Sequence, residues 1–369
     1  MARRSVRKVR RNVRDEKVAA PRTWRGVIEE YRSYLPVTRT TPVITLREGG
    51  TPLLESRLGE RYGIRLLVKY EATNPTASFK DRGMTVAVSK AVEAGAGGVI
   101  CGSTGNTAAS AAAYAARAGL SCVLLIPADG VALGKLVQAI ACGATLIPVQ
   151  ATFDGALDLA REGAVRFGLT LVNSTNPHRI AGQRTAAFEV CDALGRAPQA
   201  LALPVGNAGN ITAYWAGFSD YQKVGRIRSR PQMIGVQAEG ASPLVQGHPI
   251  ERPRTVASAI RIGRPASWDG AVAAVRDSGG QFISVSDDEI LAAQDELARE
   301  GLFVEPASAA SVAGVLKLVR AGKAPHEVVC VLTGHGLKDP EVVQSRAKLP
   351  PPVPATLEAI QSRLAPRSP

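Results

Sequence analysis

Aromatic residues make up only 5% of this 369-residue chain, and histidine occurs four times. The five cysteines, Cys101, Cys122, Cys142, Cys191 and Cys330, fall in no CxxC or Cys/His ligand spacing. An odd, scattered set of thiols in a chain this long argues against a disulfide framework or a zinc site; it points to reduced thiols in a cytoplasmic protein without structural metal. Long apolar runs are missing too. The richest stretch, residues 107–128, is broken by Ser110, Arg117 and Ser121. Burying the arginine alone at a bilayer centre costs about 3 kcal/mol, so no membrane span is expected.

What is present is a chain 45% hydrophobic, enough for two substantial cores, with a formal charge of +13. Eight of the basic residues lie in residues 1–17, against Asp15 and Glu16. Such an arm invites nucleic acid or an anionic surface, and Val6, Val9 and Val13 fall at helical spacing. The plainer reading is a solvated, disordered tail over residues 1–20, with nucleic-acid binding the weaker reading. The remainder stays basic, which suits a cleft that collects anions.

From residue 65 onward short aliphatic runs alternate with alanine-rich helical stretches. Residues 66–70, 98–101, 121–126, 145–149 and 169–173 read as strands, and so do 201–205, 233–237, 282–285, 302–304 and 328–332. Strand, small-residue loop and helix in repetition predict an α/β protein with two open, mostly parallel twisted sheets flanked by helices. An eight-stranded barrel is disfavoured, because the segment before residue 65 lacks the alternation a closed ring needs. The expected division is a large domain of residues 21–65 plus 168–350, a smaller one of 66–167, and a C-terminal extension of 351–369 with a short helix at 355–364.

Three segments carry chemistry. Ala77-Ser78-Phe79-Lys80-Asp81-Arg82-Gly83 places Lys80 where a loop enters a helix. The positive end of the helix dipole and partial burial both favour a neutral, nucleophilic amine there. Gly102-Ser103-Thr104-Gly105-Asn106-Thr107 offers hydroxyls and an amide at a second helix start, which suits a carboxylate. Gly206-Asn207-Ala208-Gly209-Asn210 follows a strand and suits a phosphate dianion. Neither loop matches GxGxxG or GxxxxGK[ST], so nucleotide binding is the weaker reading. Each loop alone is equally compatible with an ordinary turn and N-cap.

Together, in this order, the three segments resemble the fold-type II pyridoxal-phosphate enzymes, the tryptophan synthase β-like group. Further segments resemble the threonine synthase family in particular: Thr51-Pro52-Leu53, Asn74-Pro75-Thr76, Asn173-Ser174-Thr175-Asn176-Pro177-His178-Arg179, Gly182-Gln183-Arg184-Thr185, Glu305-Pro306-Ala307-Ser308 and Leu332-Thr333-Gly334-His335-Gly336. The resemblance spans the chain from about residue 24 to 343. It implies pyridoxal 5'-phosphate as cofactor, held covalently by Lys80 as a Schiff base. It also implies Asn106 on the cofactor's phenolic oxygen, Gly206, Asn207, Ala208, Gly209 and Asn210 on its phosphate, and Thr333 facing its ring nitrogen. Ser103, Thr104 and Thr107 match the substrate-carboxylate loop, while Asn173, Ser174 and Arg179, with Asn207, match a substrate-phosphate pocket. The implied reaction converts O-phospho-L-homoserine and water to L-threonine and phosphate, in a homodimer. A threonine or serine dehydratase is the alternative. Arg179 discriminates between them, because a guanidinium grips a phosphate that a dehydratase substrate lacks.

Overall fold

A computed structural model describes residues 23–128 and 133–364; the basic 1–20 tail lies outside them. Ten strands form two sheets: β1 (Leu53–Glu55), β2 (Arg65–Tyr70), β3 (Gly98–Gly102), β4 (Ser121–Pro127), β5 (Thr145–Val149), β6 (Thr170–Leu171), β7 (Ala200–Pro204), β8 (Gln232–Ala238), β9 (Gln281–Val285) and β10 (Glu327–Leu332). The larger sheet runs β1-β2-β10-β7-β8-β9 and the smaller β5-β4-β3-β6. Every pairing is parallel except β1 with β2. The expected α/β class with two mostly parallel sheets is therefore present.

The central strands β7 and β10 are buried along their whole length. That is why they read as unbroken aliphatic runs rather than as alternation. One apolar core lies on each face of the larger sheet and a third lies under the smaller one.

Four details depart from the sequence reading. β2, placed by the sequence in the smaller domain, pairs with β10 in the larger sheet. β6, placed beyond the boundary at 168, pairs with β3 in the smaller sheet. Partner choice across a parallel sheet is long-range, so local pattern does not set it. Residues 302–304 form no strand, and Val304 makes a single bridge to His335. β1 was not anticipated, because three residues after Pro52 are too few to show a period.

The functional loops follow the C-terminal ends of β2, β3, β7 and β10. Among the described residues no helix is long and apolar enough to cross a membrane, and no group of three or more His, Cys, Asp or Glu could hold a metal ion.

Candidate active site

Lys80 is the first residue of α1 (Lys80–Glu93). The loop before it is held on two sides. Phe79 N–H donates to the Thr333 carbonyl at 3.0 Å and His335 N–H to the Ala77 carbonyl at 3.0 Å, so the strand end of β10 zips to the loop. On the other side the buried Asp81 carboxylate accepts from Thr76 N–H at 2.7 Å, Thr76 Oγ1 at 2.5 Å and Ser110 Oγ at 2.6 Å. Burial pushes the Asp81 carboxyl up to about 6, against the pull of those bonds. Ala77 turns the chain at φ 64°, a strained value for a residue with a side chain.

The two anion loops converge on the same place. Behind β3, α2 (Asn106–Ala118) begins with Gly105 as its cap. Asn173 clamps Gly102: its Oδ1 accepts from Gly102 N–H at 3.0 Å, and its Nδ2 donates to the Gly102 carbonyl at 2.9 Å. Behind β7, α3 (Gly209–Lys223) is capped by Ala208 at φ 64°. Positive φ at this cap turns neighbouring N–H groups toward one side, an anion-binding concavity. A methyl group on Gly206 would meet Ile260 Cα at 3.0 Å, so the loop packs too closely there for a larger residue.

Lys80, Ser103, Thr104, Asn106, Thr107, Ser174, the whole 206–210 loop and Thr333 line one cavity of about 480 Å³. Burial is the main cause of a Lys80 amine brought down to about 7, and the Arg179 charge adds to it. The amine is therefore available in its neutral form near neutral pH. Thr333 Oγ1 lies 2.9 Å from Ser308 Oγ, which also accepts from Gly334 N–H at 2.8 Å. A neutral hydroxyl, Thr333, thus lines the cavity at the end of β10, backed by the buried Ser308.

Two expected substrate ligands are placed elsewhere. Asn173 does not line the cavity, and each of its amide atoms bonds Gly102. Arg179 is completely buried and also absent from the lining. One nitrogen, Nη1, donates to the Val172 carbonyl at 2.7 Å, while Nε and Nη2 have no partner. Burial lowers the guanidinium to about 10.

Other lining residues gave no signal of function in the sequence. Glu305 was read only as part of a motif; its carboxylate accepts from Asn106 Nδ2 at 3.1 and 3.0 Å. Lys135, Arg261 and Lys338 add cations to the wall. Lys135 Nζ bonds Ser258 Oγ at 2.8 Å and pairs with Asp339 at 3.1 Å, while Lys338 Nζ bonds Gln138 Oε1 at 2.6 Å. Contacts between residues more than 100 positions apart leave no trace in local pattern.

Residues 44–334 match the family model of the pyridoxal-phosphate dependent enzymes. The threonine synthase of Synechocystis is 58% identical over 322 residues, 86% of this chain and 84% of that protein. That of Halalkalibacterium halodurans is 54% identical over 334 residues, covering 89% and 94%. The chain belongs to the threonine synthase family.

It is accordingly a pyridoxal-phosphate-dependent lyase. Among solved structures it resembles threonine deaminase isoform 2 of Solanum lycopersicum, with a TM-score of 0.69 at 23% identity over 80% of this chain and 82% of that one. That likeness speaks to the fold alone. The residues present fit the cofactor: Asn210 Nδ2, buried in the 206–210 loop, has no hydrogen-bond partner among the described residues, and a lysine with a lowered pKa lines the same cavity. A buried amide left unpaired is costly unless a ligand completes it.

Proposed function

We propose that this enzyme converts O-phospho-L-homoserine and water to L-threonine and inorganic phosphate. The observation carrying this reading is one cavity with a low-pKa lysine, a hydroxyl-lined helix start and a cationic wall. A substrate with a carboxylate at one end and a phosphate at the other needs all three.

Lys80 would hold the cofactor covalently, the 206–210 loop its phosphate, Asn106 its ring oxygen and Thr333 its ring nitrogen. Pyridoxal phosphate, when bound, supplies a sink for electrons left on the substrate's Cα. Ser103, Thr104 and Thr107 receive the substrate carboxylate at the start of α2, where the helix dipole favours an anion. The neutral Lys80 amine removes the Cα proton and serves as the proton carrier along the substrate. A proton is then lost from Cβ, the Cγ–O bond breaks and phosphate departs. Cγ gains a proton and becomes the methyl group of threonine, water's oxygen bonds to Cβ while its proton goes to the departing phosphate, and a proton returns to Cα.

Ser174 and Asn207 stand in the cavity to hold the departing phosphate. Arg179, enclosed with two unpartnered nitrogens and close enough for its charge to act on Lys80, would add its cation to that end, and Asn173 acts through the Gly102 clamp. The reading extends to a homodimer and to a cytoplasmic location, the latter supported by five cysteines scattered without disulfide or ligand spacing.

The test is a substrate panel on the cofactor-loaded enzyme. Equal yields of phosphate and threonine from O-phospho-L-homoserine support the proposal. Inertness toward that compound, with keto acid formed from L-threonine or L-serine, replaces it with a dehydratase.

A further inference from the structure

Asn106 and Glu305 face one another inside the cavity although 199 positions separate them. Asn106 opens α2, which packs on the central strands of the smaller sheet, and Glu305 precedes α4 (Pro306–Arg320), which packs on the larger one. Both Glu305 oxygens lie at hydrogen-bond distance from the same Asn106 nitrogen, at 3.1 and 3.0 Å. An asparagine amide can face either way, and its neighbours decide which. With its oxygen turned to Glu305 three oxygens would crowd together, so the carboxylate fixes the nitrogen on that side. Glu305 itself is held rigidly: its N–H donates to the Gly334 carbonyl at 3.1 Å, and a methyl group on Gly334 would come within 2.6 Å of Oε1.

We propose that Glu305 is a positioning residue for the cofactor, acting through Asn106, whose amide it orients, and placing a negative charge near Lys80. This rests on the cofactor reading of Lys80 and Asn106 above. The other charged groups facing Glu305 are Lys80, Lys338 and Asp339. The Asp339 carboxylate is engaged by Ser258 Oγ at 2.6 Å and by Lys135 at 3.1 Å, so it is Glu305 that accepts from the Asn106 amide. Burial raises the Glu305 carboxyl, the Asn106 bond lowers it, and the Glu305 charge in turn favours the protonated nitrogen on Lys80.

The test measures pyridoxal-phosphate affinity by equilibrium dialysis, and the pH midpoint of the visible band that depends on Lys80, for Glu305→Ala, Glu305→Gln, Asn106→Ala and the Glu305→Ala/Asn106→Ala double variant. Glu305→Ala should bind the cofactor about tenfold more weakly. The double variant should be no weaker than Asn106→Ala alone, because Glu305 acts through that amide. Glu305→Gln keeps an acceptor of the same size, so it should recover the affinity while the band's midpoint moves down for want of the charge. Additive losses in the double variant would overturn the proposal, and so would Glu305→Ala with unchanged affinity and midpoint. A failure of Glu305→Ala to fold leaves the glutamine variant's midpoint to decide. Absence of any Lys80-dependent band in the unaltered enzyme would remove the underlying cofactor reading as well.

Discussion

Gly182 packs so tightly on Arg82 that a methyl group on its Cα would lie 2.0 Å from the Arg82 carbonyl oxygen. The contact is mutual: a methyl on Gly83 would lie 2.6 Å from the Arg179 carbonyl. Two glycines thus let α1 and the helix Pro177–Gln183 cross at backbone contact, setting Arg179 beside Lys80. Gly182→Ala must push the helices apart, at a cost of about 3 kcal/mol. A fall in the urea unfolding midpoint, with loss of turnover, is the expected result. An unchanged midpoint would mean that the crossing is softer than its geometry.

Arg179 is held with two nitrogens unpartnered and no exposure. A buried, partly satisfied charge is expensive, so Arg179→Met should leave the cofactor-free protein as stable or more so, by about 1 kcal/mol. The same change should abolish phosphate release from phosphohomoserine. It should also raise the Lys80 amine, because the Arg179 charge helps to lower it. The rate at which Lys80 of the cofactor-free protein reacts with a small aldehyde, followed against pH, reads that shift. Retained turnover would mean that Arg179 has no part in holding phosphate.

A buried cluster fixes the root of α1. Arg82 binds Glu71 through Nε at 2.6 Å and Glu189 through Nη1 at 2.5 Å, and Lys69 pairs with Glu189 at 2.7 Å. Burial acts to raise the Glu189 carboxyl, but Arg82 and Lys69 together outweigh it and hold it at about 2. The depressed value gives stability that is complete above the ordinary carboxylate pKa and is lost as pH falls toward 2. Glu189→Gln leaves two buried cations short of a partner and should cost about 3 to 5 kcal/mol at neutral pH. It should also flatten the acid limb of the stability curve, as measured by denaturant unfolding between pH 5 and 3. An unaltered acid limb would place that stability elsewhere.

The strand cores and the three site loops were legible because each depends on neighbours in sequence: aliphatic runs buried on both faces, and small residues between a strand and a helix. What was hidden depends on distant neighbours. β2 looked like the first strand of the smaller domain until its pairing with β10 was seen. Glu305 is ordinary in isolation and acquires meaning only from Asn106. Arg179 and Asn173 were identified as ligands by resemblance, yet one is enclosed and the other is occupied by Gly102. Sequence spacing does not reveal which way a side chain turns.

Asn173→Ala separates those possibilities. Loss of the Gly102 clamp should destabilise the cofactor-free protein by about 2 kcal/mol, since it leaves a buried N–H and carbonyl unpaired. It should also weaken substrate binding through the displaced 103–107 loop. A purely ligand role would leave the cofactor-free stability untouched.

The central claim is that Lys80 carries both cofactor and chemistry. Its most direct test compares the unaltered enzyme with Lys80→Ala, recording the visible cofactor band and the release of phosphate and threonine from O-phospho-L-homoserine. The account predicts a band and both products in the unaltered enzyme. In the variant it predicts no lysine-linked band and turnover reduced by about a thousandfold or more. A Lys80→Ala protein that keeps its band or its turnover would contradict it.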